Sequence, residues 1–150
     1  MSVISFLGLG KSVIQISKSV YDEIINHAKE AYPNECCGVL VGTTYHAPKV
    51  FESHRATNAN NDRAHDRYMI DPKELNLIDK IARTQGMDVM GFYHSHPDHP
   101  DKPSATDREW AQPGYSYIII SVAGGKDVSA RSWGIEDENA SFKEEKIKII

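Results

Sequence analysis

Hydrophobic positions along the chain change their period several times, and each change predicts an element. Residues 13–17 alternate as Val-Ile-Gln-Ile-Ser, the period of a short strand. The spacing then lengthens. Val20, Ile24, Ala28 and Ala31 recur at helical intervals, and Ser19 and Asp22 stand three apart as a capping-box-like pair. A helix is therefore expected over about 19–31, stopping before Pro33. Residues 36–41 form a continuous apolar run closed by Gly42, the pattern of a buried strand. Residues 43–48 read as a turn, and 49–58 as a partner strand with one polar face.

The second half continues in the same manner. Residues 58–67, dense in Asn, Asp and Arg, read as a loop, and 68–70 as extended. Asp71 before Pro72 is a strong helix start, with Asp at the N-cap and Pro at the first position. Leu75, Ile78, Ile81 and Ala82 would form that helix's inner face, and Gly86 would end it. A strand is predicted over 89–94, a Pro- and Asp-rich loop over 95–103, a short helix over 107–112 and a strand over 115–123. Gly124–Gly125 should turn the chain into a strand over 128–135. In 141–150, charge alternates with Ile, the pattern of a final strand or an amphipathic end. With no repeat or linker, 1–150 reads as one α/β domain, mixed in α and β.

Composition narrows the possible functions. The chain has 150 residues, enough to bury a core without a staple, and its formal charge is −4. Nucleic-acid binding needs clustered Lys and Arg, which the mildly acidic chain lacks. No run approaches the ~20 apolar residues of a membrane span. The apolar start, 1–10, is followed rather than preceded by Lys11, the wrong order for a secretory signal. Cys36 and Cys37 are adjacent and cannot form a framework disulfide. The expected setting is a reducing cytoplasm.

The chemistry concentrates in Gly-Phe-Tyr-His94-Ser-His96-Pro and, after a loop, Pro-Ser104-Ala-Thr-Asp107. His94 and His96 stand two apart at the end of the predicted 89–94 strand, and if the extended geometry persists they project to the same side. Paired neutral imidazoles suit Zn²⁺, but two ligands make a poor site. Asp107 is the natural third, brought back by the intervening loop. Asp98, His99 and Asp101 in that loop are competing ligands. A His₂Asp set leaves one position open, as catalytic zinc sites do. Such a site also needs a proton acceptor, and Glu35 stands beside an apolar strand where a carboxylate is out of place unless it points into a cleft. Ser104-x-x-Asp107 taken alone is a helix cap. His27, His46, His54 and His65 have no partner at ligand spacing.

Together these residues resemble a known signature. Glu35 in Pro-Asn-Glu-Cys-Cys-Gly-Val-Leu-Val-Gly, then His94-x-His96, seven residues, Ser104, two residues and Asp107, is similar to the full JAMM motif of metal-dependent MPN domains. The resemblance covers about residues 13–133. It implies a single MPN domain with a cytidine-deaminase-like curved mixed sheet flanked by helices. It also implies one Zn²⁺ per chain held by His94, His96 and Asp107. Glu35 would be general base towards the metal-bound water and then proton donor to the leaving amine. Ser104 would donate a hydrogen bond to the tetrahedral intermediate. The compact chain is similar to stand-alone prokaryotic members, for which the implied substrate is a ubiquitin-like sulfur carrier protein with a Gly-Gly tail. Strand addition of such a tail would use the 58–67 loop and the Tyr68 strand. The alternatives are a zinc-bound interaction module without turnover and a nucleic-acid-directed member of the fold.

Overall fold

The computed structural model describes residues 12–60 and 68–150. Among them, seven strands and three helices run in the order β1 (Val13–Ile16), α1 (Lys18–Ala31), β2 (Cys37–Thr43), β3 (Lys49–Ala56), α2 (Pro72–Thr84), β4 (Asp88–Pro97), α3 (Ala105–Trp110), β5 (Ser116–Ala123), β6 (Asp127–Gly134) and β7 (Lys143–Ile149). No helix among the described residues is long and apolar enough to cross a membrane.

Helix starts obey local chemistry. Asp71 caps α2 by accepting from the Lys73 N–H at 2.9 Å, with Pro72 at the first position, as expected. For α1 the cap is Ser17 rather than Ser19: its Oγ accepts from the Val20 N–H at 3.3 Å, so the helix begins directly after β1. On α2, Ile78 and Ala82 are buried, but Ile81 is exposed and faces away from the core. The 141–150 tail resolves to a strand, β7.

The sheet is mixed and curled until it closes, in the order β1-β3-β2-β4-β5-β6-β7. The closing ladder is parallel, Val13 opposite Lys146 through Ile16 opposite Ile149. All seven strands contribute to the apolar cluster beneath α1, among them Ile16, Leu40, Val50, Tyr93, Ile120 and Ile147. A smaller cluster of Val39, Val41, Ile78 and Ala82 seats α2. The two helices thus take opposite pleats of β2, odd residues under α2 and Leu40 under α1.

Gly42 does not close β2 as expected but lies inside it, where a Cβ would come 1.8 Å from the Lys49 carbonyl oxygen of β3. Gly38 has a different neighbour. A Cβ would fall 2.2 Å from Cε1 of Tyr93, whose side chain is wholly buried and hydrogen-bonded through its hydroxyl to His27 Nδ1 at 2.7 Å. Gly38→Ala is therefore expected to overpack the core and destabilise the fold by about 1–3 kcal/mol. Denaturant unfolding measures this, and an unchanged midpoint would refute the packing argument.

Candidate metal centre

β4 and β5 are parallel neighbours, so the chain between them must cross over, and residues 98–115 carry α3 past the carboxyl end of β4. A bulge at Met90, where β2 pairs shift from Leu40–Gly91 to Val41–Val89, sets the phase of the remaining pleats of β4. Beyond it, Phe92, His94 and His96 share one face of the pleat and Tyr93 and Ser95 the other. The strand runs to Pro97 rather than ending at His94 as expected, so both imidazoles are held by regular backbone.

The two rings approach through their Nε2 atoms, 3.1 Å apart, and both side chains are buried. His96 Nδ1 lies 2.8 Å from the Pro100 carbonyl oxygen. A carbonyl only accepts, so Nδ1 carries the proton and Nε2 presents its lone pair to the site. The His94 ring is stacked on Tyr68 at 4.3 Å between centroids and 23° between planes. Its buried Nδ1 has no hydrogen-bond partner among the described residues, so stacking and strand backbone hold this ring.

Asp107 arrives from the first turn of α3. Six residues are too few for a helix to persist alone. Ser104 and Asp107 form a reciprocal capping box: Ser104 Oγ accepts from the Asp107 N–H at 3.0 Å, and the Ser104 N–H donates to Asp107 Oδ2 at 2.9 Å. Arg108 ties the helix down by donating to the carbonyls of Glu138 and Ala140. The helix starts two residues earlier than expected because Ser104 caps it. The fixed carboxylate places Oδ1 at 3.1 Å from His94 Nε2 and Oδ2 at 3.1 Å from His96 Nε2.

Burial penalises charge on all three groups and competes with their mutual contacts. Burial outweighs the neighbouring carboxylate at His94, whose pKa is held below the ordinary imidazole value. At His96 burial is overcome by the Asp107 carboxylate and the Pro100 carbonyl, and the pKa rises. At Asp107 burial is overcome by the adjoining His94 and His96 imidazoles, which hold the carboxyl well below the usual range. The three potential ligand atoms lie within 4.8 Å of one another. Two nitrogen lone pairs and a carboxylate oxygen repel unless a cation stands among them, and this N₂O donor set fits Zn²⁺.

Glu35, in the extended segment before β2, is buried and lines a cleft of about 630 Å³ together with His96, Ser104 and Asp107. Its position is set by a contact that the spacing of the motif did not reveal. Ser95, wholly buried on the opposite pleat from the histidines, accepts from the Cys36 N–H at 2.9 Å, and its own N–H donates to the Cys36 carbonyl at 3.1 Å. The residue after Glu35 is thus joined to the residue between the two histidines. The alternation of β4 was the signal: a small polar residue between apolar pleats needs a buried partner.

Cys36 and Cys37 are buried free thiols, as the reading of them as strand core expects. Burial pushes Cys36 up to about 11 and Cys37 up to about 12. Both raised values exceed the unfolded one, so full stability holds below about pH 9 and is lost as pH rises towards 11–12. Native protein at about pH 8 is expected to resist thiol alkylation that proceeds readily in denaturant. Mass spectrometry reads the outcome, and rapid labelling of native protein would contradict it.

The competing ligands in the loop are turned elsewhere. Asp98 accepts from the Tyr32 hydroxyl at 2.7 Å and the Gly124 N–H at 2.8 Å, and Asp101 from the Ser129 hydroxyl at 2.8 Å. His99 lines the cleft without joining the cluster. His27 bonds Tyr93, His54 lies 3.2 Å from Glu52, and His46 is exposed. His65 falls outside the described residues, as does most of the 58–67 loop. Tyr68 proves to be a ring under His94 as well as a wall of the cleft.

The sequence profile described as prokaryotic homologs of the JAB domain matches residues 17–136. The chain belongs to that family. Its JAB domain is 39% identical over 129 residues to a protein named desampylase from Haloferax volcanii, covering 81% of this chain and 88% of that one. It is 26% identical over 145 residues to a CysO-cysteine peptidase from Mycobacterium tuberculosis, covering 92% of each. A solution structure of a protein from Desulfitobacterium hafniense superposes with a TM-score of 0.79 at 32% identity, over 91% of this chain and 92% of the other. A crystal structure of a JAB1/MPN domain protein from Archaeoglobus fulgidus shares the fold, with a TM-score of 0.58 at 21% identity over 94% of this chain and all of the other. The JAB/MPN fold inferred from the motif is thus the fold of the chain, with its curved mixed sheet drawn into closure.

Proposed function

We propose that this JAB domain is a zinc metallopeptidase that hydrolyses an amide bond at the C-terminal tail of a small ubiquitin-like carrier protein. The carrying observation is that Asp107 meets both His94 and His96 at 3.1 Å, and that His96 and Asp107 line a cleft together with Glu35 and Ser104. Relatives named desampylase and CysO-cysteine peptidase support the reaction class.

His94, His96 and Asp107 would hold the metal, which supplies Lewis acidity and brings the pKa of water to around 7. Glu35 takes the proton from the attacking water and returns it to the leaving amine, the shuttle of a general base turned acid. Ser104 keeps its own hydroxyl proton while accepting from the Asp107 N–H, and donates it to the oxygen on which negative charge develops. Asp107 is oriented by the capping box and His96 by the Pro100 carbonyl, so neither ligand has to reorganise when substrate arrives. A Gly-Gly tail has no side chains to hold its backbone off the cleft floor. The two buried free thiols fit a reducing, cytoplasmic setting.

The test is direct. Zinc-loaded protein is incubated with a Gly-Gly-tailed carrier extended by one amino acid, and with carrier conjugates, and products are read by mass spectrometry. Release of the added residue or the conjugated amine is expected. No cleavage of any ubiquitin-like substrate would overturn the peptidase reading in favour of a zinc-bound interaction module.

A further inference from the structure

We propose that Asp101 is a positioning residue for the metal centre, a staple that fixes the Pro100 carbonyl and through it the tautomer and orientation of His96. This rests on the reading of His94, His96 and Asp107 as zinc ligands. Asp101 sits in the loop between the two parts of the site, five residues after His96 and three before Ser104, and is 8% exposed.

Its partners come from one face of one strand. Ser129, Arg131 and Trp133 alternate along β6 and so point the same way, while Val128 and Ala130 face the core. All three direct their donors at Asp101. The Ser129 hydroxyl donates to Oδ2 at 2.8 Å, Arg131 Nε stands 3.5 Å from Oδ1, and Trp133 Nε1–H donates to the main-chain carbonyl at 3.0 Å. Both polar ends of the residue are therefore fixed, and fixing them fixes the preceding peptide, whose Pro100 carbonyl accepts from His96 Nδ1–H at 2.8 Å.

The neighbouring residues are already held, Asp98 by Tyr32 and Gly124 and the His99 carbonyl by the Ser121 hydroxyl at 2.6 Å. What Asp101 adds is control of the one carbonyl that keeps the proton on Nδ1 and leaves Nε2 facing the site. A group that holds a ligand ring directly, as the Pro100 carbonyl does, typically changes metal affinity by about 10–100-fold when removed, and a residue acting through it is expected at the low end.

The experiment compares wild type with Asp101→Ala, Asp101→Asn and Trp133→Phe. Zn²⁺ affinity is measured by chelator competition, and the His96 ring tautomer by ¹⁵N NMR of the metal-free protein. Asp101→Ala is expected to weaken zinc by about tenfold and to replace a single Nδ1–H tautomer with a mixture. Asp101→Asn retains an oxygen for Ser129 and should recover part of the loss. Trp133→Phe keeps an aromatic ring, removes the donor, and carries the same readouts if Asp101→Ala does not fold. Wild-type affinity and a single tautomer in these variants, whatever their thermal midpoints, would reduce Asp101 to a stabilising contact and overturn the proposal. If wild type itself failed to bind zinc, the functional reading would fall, and the tautomer measurement would still decide the role of Asp101.

Discussion

Glu35→Gln is expected to keep its zinc and to lose roughly a hundred- to ten-thousandfold in turnover. The amide is close to the carboxylate in size, so it disturbs little of the packing around a buried position. The backbone that follows stays fixed, since the Cys36 pair with Ser95 and the Asn58 contact to the Glu35 carbonyl use main-chain atoms of residues 35 and 36. What disappears is a group able to accept a proton from water and release it to an amine. Initial rates on a Gly-Gly-tailed carrier, with zinc stoichiometry measured on the same sample, decide the matter. A rate near that of wild type would move the base elsewhere; loss of zinc together with rate would make Glu35 part of the metal's support.

Removing a ligand should have the larger consequence. His96→Ala is expected to abolish measurable turnover, and chelation of wild type should match it and be reversed by added Zn²⁺. The same variant separates binding from folding. A metal held at about a hundredfold above its dissociation constant stabilises the native state by about 2.7 kcal/mol, so added zinc should raise the wild-type thermal midpoint and leave His96→Ala unmoved. Asp107→Asn sharpens the comparison. Its side-chain oxygen can still accept from the Ser104 N–H, so the α3 cap survives while the anionic ligand is lost. Its metal-free midpoint should stay near that of wild type and its zinc response should be much weaker. A zinc response equal to wild type in both variants would remove these residues from the metal site.

The parts of this site that were legible in the sequence are those fixed by short-range geometry. Strand alternation put His94 and His96 on one face, the Asp71–Pro72 pair marked the start of α2, and Ser104-x-x-Asp107 marked a capped turn that does form. The capping role of that turn and its proposed chemical role coexist, because a capping carboxylate can also face a metal. Less legible was whatever depends on distant neighbours. Asp98 and Asp101 are acceptors for Tyr32 and for β6, which no spacing within the loop could indicate. Ser17 rather than Ser19 caps α1 because the helix begins at the end of β1 without a loop. Ile81 has the right spacing for the inner face of α2, but the buried residues there are Ile78 and Ala82 alone.

Closure of the sheet bears on how the molecule is made. The ladder joining 13–16 to 146–149 pairs segments at the two extremes of the described chain, the kind of contact whose loop-closure entropy slows folding. On the ribosome β1 emerges well before its partner on that side. The histidines, the carboxylates and the loop between them are all translated before β7, yet the strand set that surrounds them is incomplete until it arrives. Assembly of the candidate site is thus tied to the arrival of β7, and a growing chain carries all the motif residues before it carries the fold that unites them.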